Sequence, residues 1–211
     1  MPALFDFDFG LALQRVTREL RDQPRTGRAF VANPFEAELV EAHREEWLRD
    51  LKCRVESGRW SPGPIEICDA PKGGNLVRPA ARLGIEDRVV YTAAVGACLP
   101  NIFTATRWSQ GTCDFATRLN SSKLDTTEWM RNPFRGWKEF VDRSVYRCQT
   151  HPVVVVADIA GYFENISMNL LASDLRRIGS PSPAIKLSIY RRGARCRHDG
   201  GRRVPTDVRH R

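Results

Sequence analysis

The sequence is poor in the features that place a protein quickly. Its six cysteines (Cys53, Cys68, Cys98, Cys113, Cys148 and Cys196) include no Cys-x-x-Cys pair, so the ligand spacing of a structural zinc site is missing. A chain of 211 residues that is 42% hydrophobic can bury a core without disulfide staples, and the thiols read as buried or free in a reducing cytoplasm. No run reaches the roughly 20 apolar residues that span a bilayer. The longest candidate, residues 89–103, is interrupted by Thr92, Pro100 and Asn101. The first residues, Met-Pro-Ala-Leu-Phe-Asp-Phe-Asp-Phe, are acidic and lack the basic n-region of a secretory signal. No Ser or Cys lies in a nucleophile motif and the four His are isolated, which leaves a small hydrolase without support. No internal repeat is found.

What is present begins with charge. The net charge is +8, but residues 191–211 contain eight Arg against two acids, a net of +6, so residues 1–190 carry only +2. Bulk charge is therefore weak evidence for nucleic-acid binding by the folded part. The last segment has only Ala194, Cys196 and two Val as apolar residues and no helical or strand period. It reads either as a disordered basic tail that holds RNA electrostatically or as the translation of a shifted frame of a GC-rich gene.

Periodicity predicts a helix over residues 10–22, with Leu13, Val16 and Leu20 on one face, and a loop over 23–32. Asn33, Pro34 and Glu36 form a helix start. Phe35, Leu39, His43, Trp47, Leu51 and Val55 then recur at spacing four, a stripe on which His43 reads as a hydrogen-bonded core residue, and Gly58 ends the helix. Residues 65–68 alternate as a strand, 71–75 form a turn and 76–79 start a second strand, which together predict a hairpin. Residues 85–103 form a helix pattern with small residues at Ala93, Ala94 and Ala97. Within it, Asp87 and Arg88 form a surface pair or orient neighbouring structure. Residues 104–127 are polar, and their Arg107, Arg118 and Lys123 line a groove or a solvated loop. Asn132 and Pro133 start a further helix with Phe134, Trp137, Phe140, Val141 and Val145 facing a core. Ser167 caps another with Leu171, Leu175 and Ile178, closed by Gly179 and Pro181. Residues 183–190 begin a last one.

Residues 151–166 organise this chain. Val153 to Ala157 is a continuous β-branched apolar run, the pattern of a short strand buried on both faces, and it ends on Asp158. A carboxylate at the tip of a buried strand is costly to keep ionised unless a cation or donors compensate it. A divalent metal is the usual compensator, and Mg²⁺ prefers oxygen ligands. The bland alternative is that Asp158 caps the turn after a strand.

Asp158-Ile-Ala-Gly-Tyr-Phe-Glu-Asn-Ile166 resembles the first catalytic motif of reverse transcriptases, Asp-x-x-x-[Phe/Tyr]-[Phe/Tyr]-x-x-Ile after a hydrophobic strand. Gly58-x-Trp60-x-Pro62, then Pro71-Lys72-x(5)-Arg78-Pro79, then Asp87-Arg88-Val89 resemble the fingers region of that family, especially its bacterial defence-associated members, and so does the Trp137-x-x-Phe140 helix. The resemblance implies that Asp158 binds the catalytic metals through its side chain and Ile159 through its carbonyl. It implies that Phe163 is the steric gate against a 2′-hydroxyl. It also implies that Lys72 and Arg78 reach the triphosphate of the incoming nucleotide, with Arg78 favoured because its planar fork matches phosphate.

The implied fold is α/β (α+β) and helix-rich, a right-hand polymerase with fingers and a partial palm. Residues 1–57 would be an N-terminal helical extension, 58–150 the fingers-like region, 151–190 the start of the palm and 191–211 the basic tail. Nucleotide addition needs two divalent ions about 3.5–4 Å apart, and the family holds them with a further Tyr-x-Asp-Asp hairpin. No Asp-Asp pair occurs in this chain. The expectation is thus an RNA-directed DNA polymerase (nucleotidyltransferase) by descent, using Mg²⁺, dNTPs, an RNA template and a DNA primer. It would be cytoplasmic and away from membranes, truncated before the remaining palm motifs and thumb, and inactive as these residues alone. An incomplete palm sheet would expose a strand edge and leave the chain marginally stable or aggregation-prone. The competing expectation is a non-enzymatic basic RNA-binding or scaffold protein.

Overall fold

Why the first helix forms is visible in its apolar spacing. In a computed structural model, which describes residues 7–22, 34–72, 76–115, 118–158 and 165–189, α1 runs Phe9–Asp22. The Asp8 carboxylate accepts from the Leu11 N–H at 2.7 Å and caps the first turn. Phe9, Ala12, Leu13, Val16 and Leu20 bury one face.

Helices α2 (Pro34–Ala42) and α3 (Arg44–Glu56) replace the single helix expected from the spacing-four stripe. The stripe does not bury as expected: Phe35, Leu39 and His43 are exposed, whereas Val40 and Leu51 are buried and Ala37, Trp47, Leu48 and Val55 pack beside them. With 3.6 residues per turn, each step of four advances about 40° around the helix, so such a stripe drifts off the core. A break at His43 resets the phase. The end of α3 is as expected, since Gly58 takes φ +69° and its N–H bonds to the Val55 carbonyl at 3.1 Å.

The hairpin forms where alternation placed it. Strands β1 (Glu66–Lys72) and β2 (Leu76–Arg82) pair antiparallel, from Glu66 opposite Arg82 to Lys72 opposite Leu76. Arg82 closes on Glu66 directly across the ladder at 3.2 Å.

Helix α4 (Ile85–Thr106) is the axis of the molecule. It is apolar nearly all round, and such a helix belongs in the middle of a core. At 22 residues it is long and apolar enough to cross a membrane by length and composition alone, a feature that its Thr92, Pro100 and Asn101 had concealed in the sequence. Here Ile85, Val89, Val90, Ala93, Ala94 and Cys98 are buried against α1 and against the last helix. A Cβ at Gly96 would lie 2.9 Å from Nη1 at the tip of Arg15, so a larger residue there would displace that guanidinium.

Helix α5 (Pro133–Thr150) starts on Asn132, whose Oδ1 accepts from the Phe134 N–H at 2.9 Å. Helix α6 (Met168–Arg177) is capped by Ser167 and closes at Gly179, φ +80°. Helix α7 (Ser182–Ile189) inserts Ala184 and Ile185 into the core, and Asn101 ties α4 to the Ile178 carbonyl at 3.1 Å.

Two expectations are corrected. Val153 to Val156 are not a buried strand: they run as exposed, unpaired chain, at 74%, 56%, 84% and 91% exposure. A strand exists only where neighbours complete its ladder, and the sole sheet among the described residues is the β1–β2 hairpin. The apolar face of α5 does not reach a core either, with Phe134 at 83% and Trp137 at 64% exposure. The predicted loop 23–32, the hairpin tip 73–75 and the tail 191–211 lie outside the described residues.

Candidate functional site

Asp158 ends the unpaired 153–157 segment and is exposed. Burial therefore does not force a compensating cation on this carboxylate. Ile159 and Phe163 lie outside the described residues. Lys72 is opposite Leu76 and Arg78 opposite Ala70, two rungs apart on one ladder. Among the described residues, no group of three or more His, Cys, Asp or Glu stands close enough to hold a metal ion. Mg²⁺ takes an octahedron of oxygens, and Asp158 alone supplies one carboxylate. The described residues thus do not by themselves fit a Mg²⁺ centre.

The basic residues of 104–127 have structural roles rather than a groove. Arg118 is buried, bridges to Glu139 and lies 5.8 Å from the Phe115 ring centroid. Lys123 pairs with Glu128, whose carboxyl these contacts, Lys123 first and then Arg18, hold below the usual range. The backbone closes this loop through Asn120 N–H to Trp129 O and Arg131 N–H to Arg118 O, both 2.8 Å. Arg107 is exposed at the end of α4.

Sequence reasoning missed three anchors. Arg15 is buried on α1, donates to the Thr126 carbonyl at 3.0 Å and the Leu124 carbonyl at 2.5 Å, and stacks over Trp129 at 4.8 Å. Burial lowers its guanidinium pKa, with Asp8 and Asp125 opposing the shift. The signal was there in an Arg set among Ala12, Leu13 and Val16 on the apolar side of the helix. Asp87 is buried rather than a surface partner of Arg88, and it accepts from the Gly63 N–H at 3.2 and 3.1 Å, while Arg88 reaches Glu19 at 2.8 Å. Arg54 forks onto Glu86 at 2.9 and 2.7 Å, locking α3 to α4.

No protein-family model matches the chain, and no curated protein or solved structure matches it. The likeness to reverse transcriptases rests on the quoted residues alone.

A shallow groove of about 470 Å³ lies between the 111–115 loop and α5, lined by Gly111, Phe115, Glu139, Asp142, Arg143 and Tyr146. It is remote in sequence from the Asp158 motif and carries both signs of charge.

Proposed function

We propose that this chain carries the fingers and the first palm motif of an RNA-directed DNA polymerase, with Asp158 as one carboxylate of a metal site completed by acidic residues beyond those described. One observation carries the reading. Val153 to Ala157 are apolar and exposed, their backbone groups make no hydrogen bond among the described residues, and the segment ends on Asp158 at the head of the motif. In this reading the run is a palm strand whose sheet partners lie outside the described residues. In this reading Lys72 and Arg78 on the hairpin meet the triphosphate, Phe163 meets the sugar, and the Ile159 carbonyl is a second metal ligand. The likeness to bacterial defence-associated enzymes suggests a cytoplasmic role with an RNA template.

Arg18, Arg54, Arg82, Arg88, Arg118 and Lys123 are each matched to a carboxylate. Arg135, Lys138, Arg143 and Arg147 on α5 are exposed and have no ion pair among the described residues, which leaves the RNA-binding scaffold alternative a basic surface for phosphates.

The test is primer extension with Mg²⁺ on two chains. One is this chain, and the other continues it through whatever Tyr-x-Asp-Asp sequence the same transcript encodes in any frame. The expected result is no incorporation by the first, and incorporation by the second that Asp158→Ala abolishes. Incorporation by the first chain, or the lack of such a box in every frame, contradicts the reading. Salt-sensitive RNA binding that survives Asp158→Ala but is lost on deleting residues 191–211 would favour the scaffold.

A further inference from the structure

We propose that the outward stripe of α5 is a self-association surface whose occupant is a second copy of this chain, packed antiparallel across a two-fold axis at Val141. The inference does not depend on the polymerase reading.

Area makes the first argument. The apolar members of the stripe, Phe134, Trp137, Val141 and Val145, are 83%, 64%, 38% and 53% exposed. At those exposures they present on the order of 500 Å² of apolar surface, the size of the largest and often functional patch on an ordinary monomer.

Spacing says what covers it. Phe134 and Trp137 lie seven and four residues before Val141, and Val145 and Cys148 lie four and seven after it, all five exposed. The stripe reads the same in both directions. An isologous contact has this requirement, because residue i of one copy meets residue j of the other and j meets i. With the axis on Val141, the two Val141 side chains meet, Trp137 meets Val145 of the second copy, and Phe134 meets Cys148 of the second copy. Steps of three and four keep these residues on one side of the helix. On the other side of α5, Gly136 is buried and Glu139 holds Arg118, which fixes that side toward the body of the chain near the start of the helix.

Charge agrees with the same axis. Lys138 and Asp142 lie on one flank of the stripe, both exposed, and neither has an ion-pair partner among the described residues. At a rise of ~1.5 Å per residue, antiparallel pairing about Val141 sets Lys138 of one copy within about 3 Å, along the axis, of Asp142 of the other. By symmetry this occurs twice.

The experiment is sedimentation velocity of the full chain over a concentration series, with helical circular dichroism as the folding control. The expected result is a discrete, reversible dimer. Val141→Glu sets two carboxylates against each other on the axis and should weaken the dimer about 100-fold with helix content unchanged. Lys138→Glu should also weaken it, and Lys138→Glu combined with Asp142→Lys should restore it. A chain that stays monomeric at high micromolar concentration overturns the proposal. So does a dimer or larger aggregate that persists undiminished in Val141→Glu, or a charge swap that fails to restore association. If Val141→Glu unfolds the chain, the charge pair decides alone.

Discussion

Helices α4 and α5 are both long and both carry clear apolar patterns, yet they have opposite fates. α4 is apolar nearly all round and small-sided at Ala93, Ala94, Gly96 and Ala97, so α1 and α7 close on it from two sides. α5 is apolar on one side only and bulky there, and its Phe134, Trp137 and Val145 remain in solvent. Periodicity reports that a face demands a partner. It does not report whether that partner lies in the same stretch of chain. The same lesson applies to Val153–Val156, whose composition predicts a strand but which pair with no sheet among the described residues.

The largest expected effect tests this contrast. Leu51→Ala, in the α3–α4 core at 0% exposure, should cost about 3 kcal/mol. Phe134→Ala should cost less than about 0.5 kcal/mol to the monomer, as an exposed site does. Chemical denaturation measures both, and equal costs would place α5 in the core and break the comparison. Next, Arg15→Met should cost about 2 kcal/mol, because it strips two carbonyls of the 118–131 loop of their charged donor. Faster proteolysis within that loop would be the second sign.

Smaller effects sharpen the contrast by thiol chemistry. Cys98 on α4 is buried, and that burial pushes its thiol up from the ordinary value of 9.0, against a lowering contact from Ser180. Cys148 on α5 is exposed. Alkylation should therefore modify Cys148 rapidly and leave Cys98 until the chain unfolds. Because the folded value of Cys98 is raised, its contribution to stability is full below about pH 9 and is lost as pH rises through the folded value. The smallest effect is at the surface. Glu128 should titrate below the ordinary glutamate range, and Lys123→Met should move its midpoint back up. Since the folded value is depressed, whatever that contact contributes is present above the ordinary range and lost as pH falls through the folded value. An NMR carboxyl titration reads both.

Much of the fold was legible because local chemistry decides it. The Asn132 cap, the Gly58 and Gly179 terminators, the hairpin alternation and the α1 stripe all appear where the residues placed them. Two causes account for the failures. The 35–55 stripe failed locally, because steps of four drift about 40° around a helix and a break at His43 resets the phase, whereas the other failures come from long-range partners, which are invisible to spacing. Arg118 read as a groove residue because Glu139, its partner, lies 21 positions away. Arg15 hides a contact 111 positions distant. Of the candidate site, Asp158 is described but exposed, and the hairpin bearing Lys72 and Arg78 formed as expected. Ile159 and Phe163 lie outside the described residues.

We read the run leading to Asp158 as a strand without a sheet, and amide hydrogen exchange of the full chain decides this by comparing Val153–Ala157 with Val89–Ala94. The expected result is exchange at nearly unprotected rates in the first segment and at the slowest rates of the molecule in the second. Comparable protection in the two segments would mean that the run already has its sheet, and would overturn this reading.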